Sequence, residues 1–519
     1  MNDDHAVAAV REVEHKFRVH GLFRIPDLTS AESVSTVSDD GTAKLESAYY
    51  DTNDLRLARE GITLRRRTGE RDDGWHLKVP APGAAEQVRD ELRLPLAAGG
   101  PGEPPAALLD VVRPLVRDDP VRLVATLRTT RTLRTLRDDH GRVVGELVDD
   151  TVRVVDDAGP VSARFRELEL EEREATPRGL AAEIGEVLCD AGATGGEFVS
   201  KAVRALGPQA GRPPEVPEPD AVGPDDPARE AMQAYLARHT RALRRADLSF
   251  RRDPDVPWDA VHQMRVAARR LRSGLRVFRP LLDREWADAL RDELAWAARS
   301  LGDLRELEVL LARLESRAGE LPAEVRIGTV LDQVRQQTSA ARVRAVEVLA
   351  GGRYVALHAT LVSASAKPAT TAAAERPAGE VLPPLVEQAW TRLAKRATKV
   401  LADEAATPGG APDDEWHEAR IAAKRARYAA EAVAPVLGKD AAKFARQLAK
   451  VTEALGEHQD AVDAGAAVSR LTEDADVATG FALGALYGIE RQRVRDIRAD
   501  FATLWPKVER RRWRRWLDR

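Results

Sequence analysis

Before residue 206 the chain is a succession of short segments in which alternate residues are charged. REVEHKFRV, GITLRRR, WHLKV, QVRDELRLPL and ARFRELELEE are the clearest. Side chains two apart share one face of a β-strand, so Glu12, Glu14 and Lys16 point one way and Val13, His15 and Phe17 the other. The same parity groups Arg65 with Arg67, His76 with Lys78, Arg89 with Glu91 and Arg93, Arg122 with Arg128, and Glu167 with Glu169 and Glu171. Ile62/Leu64, Trp75/Leu77, Leu92/Leu94 and Leu168/Leu170 lie opposite them. One such strand on its own reads as half-buried, its charges in water. Strand after strand with both signs on one face fits a different solution, a closed barrel with a charged lumen. Unpaired charges in a dry lumen are prohibitively costly. Bases that grip phosphates, and carboxylates that hold a divalent cation bridging to the phosphate oxygens, remove that cost together.

Turn-forming clusters such as DDHGR separate seven or eight such segments, which predicts an antiparallel barrel or sandwich with a few helices. TPRGLAAEIGEVLCDAGA reads as a helix, with Pro177 near its start and Gly192 past its end. Residues 207–228 are rich in Pro, Gly and acid and read as a linker. Beyond them the period becomes that of a helix, interrupted at about 364–384. The expected fold class is therefore multidomain: an N-terminal antiparallel β tunnel of about eight strands (α+β), then an all-α domain of two pseudo-symmetric helical bundles.

Charge follows the same division. The total is −4, but residues 1–210 carry 29 basic against 38 acidic groups, and residues 229–519 carry 50 against 41. An acidic module joined to a basic one suits a polyanion partner on the basic side. The single Cys189 excludes a disulfide framework and multi-cysteine metal sites. No apolar run is long enough for a membrane span, and the acidic N-terminus lacks a secretory core, so a cytoplasmic location is expected.

The helical part repeats itself. WDAVHQMRVAARRLRSGLRVF and DDEWHEARIAAKRARYAAEAV superimpose at an offset of 155, placing His262, Arg265, Arg269 and Arg272 on His417, Arg420, Lys424 and Arg427. Spacings of 3, 4 and 3 put each set on one face of a helix, and Arg276 extends the first. One basic face is ordinarily solvated. Two, brought together by pseudo-symmetry, make a positive surface or pore suited to phosphate oxygens. The two histidines lack the neighbouring His or Cys of a zinc site, and phosphate contact or a charge-assisted hydrogen bond fits them better.

E-V-E-H-K at 12–16 resembles the E-x-E-x-K signature of the CYTH family, the triphosphate tunnel metalloenzymes. The likeness continues through Tyr50-Asp51-Thr52, L-R-R-R at 64–67, W-H-L-K at 75–78, E-L-E-L-E at 167–171 and Ser200-Lys201. It covers residues 7–206. It implies an eight-stranded antiparallel tunnel that hydrolyses inorganic triphosphate or a related triphosphate with Mg²⁺ or Mn²⁺. Glu12, Glu14, Lys16, Glu169 and Glu171 would be catalytic, with Glu12, Glu14, Glu91, Glu169 and Glu171 as metal ligands. Arg65, Arg67, Lys78, Arg93, Arg128 and Lys201 would contact phosphates. Arg128 and Arg131 have opposite parity, and a bulge could admit either; Glu146 and Asp150 share a face that could add acid.

V-H-Q-M-R-V-A-A-R-R-L-R and W-H-E-A-R-I-A-A-K-R-A-R-Y resemble the conserved-histidine α-helical domain, CHAD, over residues 229–519, with repeats of about 229–363 and 385–510. That likeness implies two four-helix bundles whose basic groove binds inorganic polyphosphate through His262, Arg265, Arg269, Arg272, His417, Arg420, Lys424 and Arg427. Association with polyphosphate granules would follow. A non-catalytic polyphosphate-binding or localisation protein is the competing function, and nucleotide cyclisation a third that lacks a recognisable adenine pocket. No specific nucleic acid is expected, because the helices lack interleaved aromatics for base stacking. The C-terminal VERRRWRRWLDR reads as a helix end with packed tryptophans, so no membrane partner is expected. Oligomeric state is not legible.

Overall fold

The computed structural model describes residues 8–69, 72–81, 87–155, 161–196, 199–252, 259–321, 327–407, 409–472 and 476–518. The chain forms two compact units, one of residues 1–215 with 251–254 and one of residues 216–250 with 255–519.

In the first unit the alternating segments become β1 (Ala8–Val19), β2 (Thr36–Asp51), β3 (Thr63–Gly69), β4 (Gly74–Pro80), β5 (Val88–Leu94), β6 (Arg122–Arg137), β7 (Val143–Val155) and β8 (Val161–Glu172). They pair in the order β5-β4-β3-β2-β6-β7-β8-β1, and β1 also pairs with β5, which closes the ring. All these pairings are antiparallel. Closure comes from β1 dividing its length: Ala8–Val13 bonds to β5 and Glu14–Val19 to β8. A two-residue strand, β9 (Thr194–Gly195), adds to β1 at Phe17 and Arg18. Gly69 (φ 151°) ends β3 against β2, where a side chain would begin 2.3 Å from the Lys44 carbonyl oxygen.

Charged residues turn into the ring, so the apolar face of the strands lies outside it and needs cover. The short helices α1 (Arg56–Arg59) and α2 (Ala106–Val116) and then α3 (Leu180–Asp190) and α4 (Lys201–Leu206) complete this unit. Leu180, Ile184 and Leu188 of α3 pack on Phe17, Leu136, Leu147, Leu168 and Leu170, all buried. Each such side chain contributes about 1.5–3 kcal/mol. The helix expected over residues 176–193 is shorter, and Gly192 beyond it takes φ 102°.

The second unit is helical: α5 (Ala228–Arg252), α6 (Asp259–Val277), α7 (Arg284–Ser300), α8 (Gly302–Ala318), α9 (Gly328–Ala350), α10 (Gly352–Ala366), α11 (Ala378–Ala406), α12 (Asp413–Leu437), α13 (Lys439–Leu471) and α14 (Val477–Val508). The 155-residue offset carries α5 onto α11 and α6 onto α12. It carries α7 and α8 onto the single long α13, the first copy being broken at Leu301. A shared core runs through both repeats, from Leu271, Leu294 and Leu304 to Trp416, Leu448 and Phe501. Gly274 lets α6 approach α5, since a Cβ there would lie 2.3 Å from the Tyr235 ring. The break expected over residues 364–384 is narrower: helix resumes at Ala378 and accommodates Pro383 and Pro384 in its first turns. At the C-terminus Trp516 is buried and the Arg514 guanidinium lies 4.4 Å from the Trp390 ring centre.

Candidate active site

A cavity of about 300 Å³ occupies the ring. Its wall includes Glu12, Glu14, Lys16, Arg65, Arg67, Lys78, Arg93, Glu169, Glu171 and Lys201. Strand register sets them in rows. Glu14 of β1 stands beside Glu171 of β8, which stands beside Glu146 of β7. Lys16 stands beside Glu169 one step along. The next row is Arg131 of β6, Asp150 of β7 and Glu167 of β8. Ser200 caps α4 by accepting from the Val203 amide, and the helix delivers Lys201 to these rows. Lys201 Nζ lies 3.0 Å from Asp150, 2.8 Å from Glu167 and 2.6 Å from Glu169.

Ion pairs organise the charges. Lys16 Nζ bridges Glu14 at 3.2 Å and Glu169 at 3.0 Å. Lys78 pairs with Glu12, and Arg93 reaches Glu12 at 3.0 Å. Arg131 meets Asp150 at 2.9 and 2.7 Å. Burial alone would push Glu169 up, but Lys16, Lys201 and Arg131 hold its carboxyl well below the usual range. Burial likewise opposes ionisation of Glu14, and Lys16 and Lys78 overcome it. Glu12 goes the other way, raised by burial and by Glu91 against the pull of Lys78. Burial, with Arg65 and Arg131 close by, brings Arg67 down to about 10. The tunnel thus concentrates cations that an anion would relieve.

Two expected residues are placed elsewhere. Arg128 is outside the tunnel, exposed and paired with Glu46 at 2.8 Å. No bulge interrupts the β6–β7 register between residues 128 and 131, so parity admits Arg131 alone to the lumen. Glu91 is fully buried beneath the cavity-lining side chains, enclosed by Arg65, His76, Lys78 and Arg93. Four cationic or hydrogen-bonding neighbours leave it a counter-ion for the wall and not a donor to the lumen. Arg173 continues the Glu167/Glu169/Glu171 parity, lines the cavity and pairs with Glu171 at 2.8 Å. Extending that alternation by one step would have found it. Asp72 (φ 59°), 2.7 Å from Arg67 and 3.1 Å from Arg93, sits in a turn where no periodicity signals it.

The lumen donors are carboxylate oxygens, the chemistry of a hard divalent cation. No three His, Cys, Asp or Glu among the described residues stand close enough to hold one unaided. A small divalent ion commonly takes one or two carboxylates and completes its shell with substrate phosphate oxygens and water, so one or two of Glu12, Glu14 and Glu171 at the cavity wall fit such an ion.

In the helical unit α6 and α12 pack together, and their basic stripes converge. Burial lowers Lys424 to about 7, helped by Arg420 and Arg269, with Asp460 opposing. Arg269 comes from the other repeat and also lies 5.7 Å from the Tyr428 ring centre. The buried Nε atoms of Arg269, Arg272 and Arg420 have no hydrogen-bond acceptor among the described residues. The remaining positions differ between copies. Arg265 donates to the Ala298 carbonyl at 2.7 Å. His417 Nδ1 is 2.6 Å from Gln459, and Arg427 donates to Glu431 and Thr452 at 2.6 and 2.9 Å. His262 is half-buried and is not without a partner. The stripes are therefore not free of acid, because α13 brings Asp460 to them.

Comparison with known proteins accords with this architecture. Residues 10–206 match the CYTH domain model and residues 234–469 the CHAD domain model. Two uncharacterized proteins of Mycobacterium tuberculosis, from strains CDC 1551 / Oshkosh and ATCC 25618 / H37Rv, are 34% identical over 473 residues, 87% of this chain and 86% of theirs. Among solved structures, the CHAD domain from the plant Ricinus communis is 28% identical over 55% of this chain and 94% of its own, with a TM-score of 0.45. PptA from Streptomyces chartreusis is 27% identical over 54% of this chain and all of its own, with a TM-score of 0.44. The chain belongs to the CYTH and CHAD families, carrying a CYTH domain followed by a CHAD domain.

Proposed function

We propose that the β tunnel hydrolyses the terminal phosphoanhydride of inorganic triphosphate, or of a related triphosphate, and that the CHAD domain binds inorganic polyphosphate. The observation that carries the first part is a single 300 Å³ cavity lined at once by Lys16, Arg65, Arg67, Arg93, Arg131 and Lys201 and by Glu12, Glu14, Glu169 and Glu171. That volume lies within the range of small-ligand sites, about 300–1,000 Å³. Cations from several strands would hold the phosphates in line and offset charge as the bridging bond breaks. One or two of Glu12, Glu14 and Glu171 would hold a divalent cation, Mg²⁺ or Mn²⁺, which when bound supplies further charge neutralisation on the phosphate oxygens. A carboxylate of the Glu12, Glu14, Glu169 and Glu171 cluster on β1 and β8 would orient the attacking water and take its proton. A lumen for binding alone does not need so many carboxylates, which favours hydrolysis over mere capture.

The second part rests on the meeting of the two stripes, where buried guanidinium Nε atoms lack acceptors among the described residues. Oxygens of a polyphosphate chain supply them without base-specific contacts. Phosphate release from inorganic triphosphate, with and without divalent cation, tests the tunnel. Competition of long polyphosphate against DNA at fixed salt tests the stripes, since charge alone makes both bind at low ionic strength.

A further inference from the structure

A second cavity, of about 320 Å³, lies within the helical unit and outside the His262–Arg272 and His417–Arg427 residue sets. Ser273, Arg276, Val277 and Pro280 form one side, Leu385, Gln388, Ala389 and Arg392 of α11 another, and Ala422 and Arg425 of α12 the third. It is as large as the tunnel cavity and has no carboxylate in its wall. Arg279, at its edge, is already held by Asp288 at 3.1 and 2.6 Å. Arg276, Arg392 and Arg425 have no ion pair or side-chain hydrogen bond among the described residues. Burial pushes Arg425 below its ordinary value, and Arg276 and Arg392 add to the effect while Glu418 eases it. Arg276 is pushed down by burial and by Arg291 and Arg392. Three guanidiniums from three helices therefore repel one another, with Glu418 near Arg425 offsetting this in part.

The internal repeat supplies a control. At an offset of 155 the partners of Arg425, Arg276 and Arg392 are Arg270, Glu431 and Ala237. There the cation is matched: Arg270 lies 3.3 Å from Glu431. A guanidinium cluster with no ion-paired carboxylate therefore forms at one of the two repeat-related positions and not at the other. Its other wall is apolar, with Val277, Pro280, Leu385, Ala389 and Ala422 facing the same space. An inorganic anion has no use for such a wall, and a single carboxylate would leave two guanidiniums unmatched.

We propose that this cavity binds a compact organic phosphate, its phosphate group on Arg276, Arg392 and Arg425 and its apolar body on Leu385, Ala389 and Val277. Guanidiniums suit phosphate because their paired N–H groups match its oxygens in a planar fork. The site is separate from the tunnel and shares Arg276 alone with the basic stripes, so the proposal does not depend on the triphosphate hydrolysis assigned above.

Calorimetric titration of the full chain with adenosine monophosphate, inorganic phosphate and long polyphosphate tests it. The nucleotide is expected to bind one site at least about tenfold more tightly than inorganic phosphate. Arg392→Ala with Arg425→Ala, both at least partly open to solvent, should weaken the nucleotide at least about tenfold and change polyphosphate affinity less than about threefold. Leu385→Asp, which keeps all three arginines, should weaken the nucleotide as well. Two results would overturn the proposal: a nucleotide that binds no better than inorganic phosphate, or an arginine double variant that loses polyphosphate as much as nucleotide. The latter would make the cavity part of the polyanion surface.

Discussion

Lys16 and Glu169 are register partners across β1 and β8, ammonium to carboxylate at 3.0 Å, and Glu14 holds the same ammonium at 3.2 Å. All three line the tunnel cavity. Without substrate the tunnel neutralises itself by such pairs; a phosphate chain and a divalent cation would replace each half of the pairing with a stronger partner. This exchange of partners is what the proposed hydrolysis needs, and it makes the tunnel carboxylates separable from the fold.

Glu12→Gln should leave the far-ultraviolet circular dichroism unchanged. Lys78 keeps Glu14 and Glu91 within 3.9 Å, so its charge is not orphaned. Phosphate release from triphosphate should fall by at least about 100-fold, comparable to the loss of one transition-state charge contact.

Arg128→Ala and Arg131→Ala should diverge. The first removes an exposed pair with Glu46 and should change hydrolysis less than about twofold and stability by less than about 1 kcal/mol. The second removes a cation from the cavity wall and should lower kcat/KM by at least about 100-fold. Steady-state kinetics of the two variants, side by side, check the inward assignment of residue 131.

Lys201→Ala strips Asp150, Glu167 and Glu169 of their shared ammonium. At pH 7 it should cost about 3–5 kcal/mol, because buried carboxylates lose a partner. In the natural protein Asp150 and Glu169 are held below the usual carboxylate range, so their contribution is full at neutral pH and is lost only as pH falls through those lowered values. In the variant the same carboxyls, buried with fewer cations, rise and protonate more readily. The deficit should therefore shrink between pH 7 and pH 5, read by urea unfolding at both; a deficit independent of pH would contradict this pairing.

Lys424 should make polyphosphate binding depend on pH. Burial, with Arg420 and Arg269, lowers the free lysine to about 7, and Arg265 adds to this while Asp460 of α13 opposes it. A bound polyanion favours the charged form, so binding takes up a proton and weakens as pH rises above 7, by up to about tenfold per unit. Lys424→Arg, with its permanent charge, should flatten that dependence in titrations at pH 7, 8 and 9.

Much of this site is legible in the chain because a strand's period of two forces Glu12, Glu14 and Lys16 onto one face whatever they later contact. Both signs on successive strands favour closure of the ring over a sandwich with a solvated charged face, and the β1–β5 pairing completes it. Depth within the wall is not legible. Glu91 shares parity with Arg89 and Arg93, but its enclosure by His76, Arg65 and Lys78 depends on β4 lying beside β5 and β3 beyond it. Asp72 belongs to a turn, where position follows backbone conformation and not alternation. In the helical unit the spacing of His262, Arg265, Arg269 and Arg272 sets the face, while Asp460 reaches it from a helix far along the chain.

The most direct test measures phosphate release from inorganic triphosphate by the full chain, with and without Mg²⁺ or Mn²⁺, alongside the Glu14→Gln variant. The account predicts release that requires the divalent cation and disappears in the folded variant. Binding of triphosphate with no release under any metal, or release undiminished by Glu14→Gln, would contradict it.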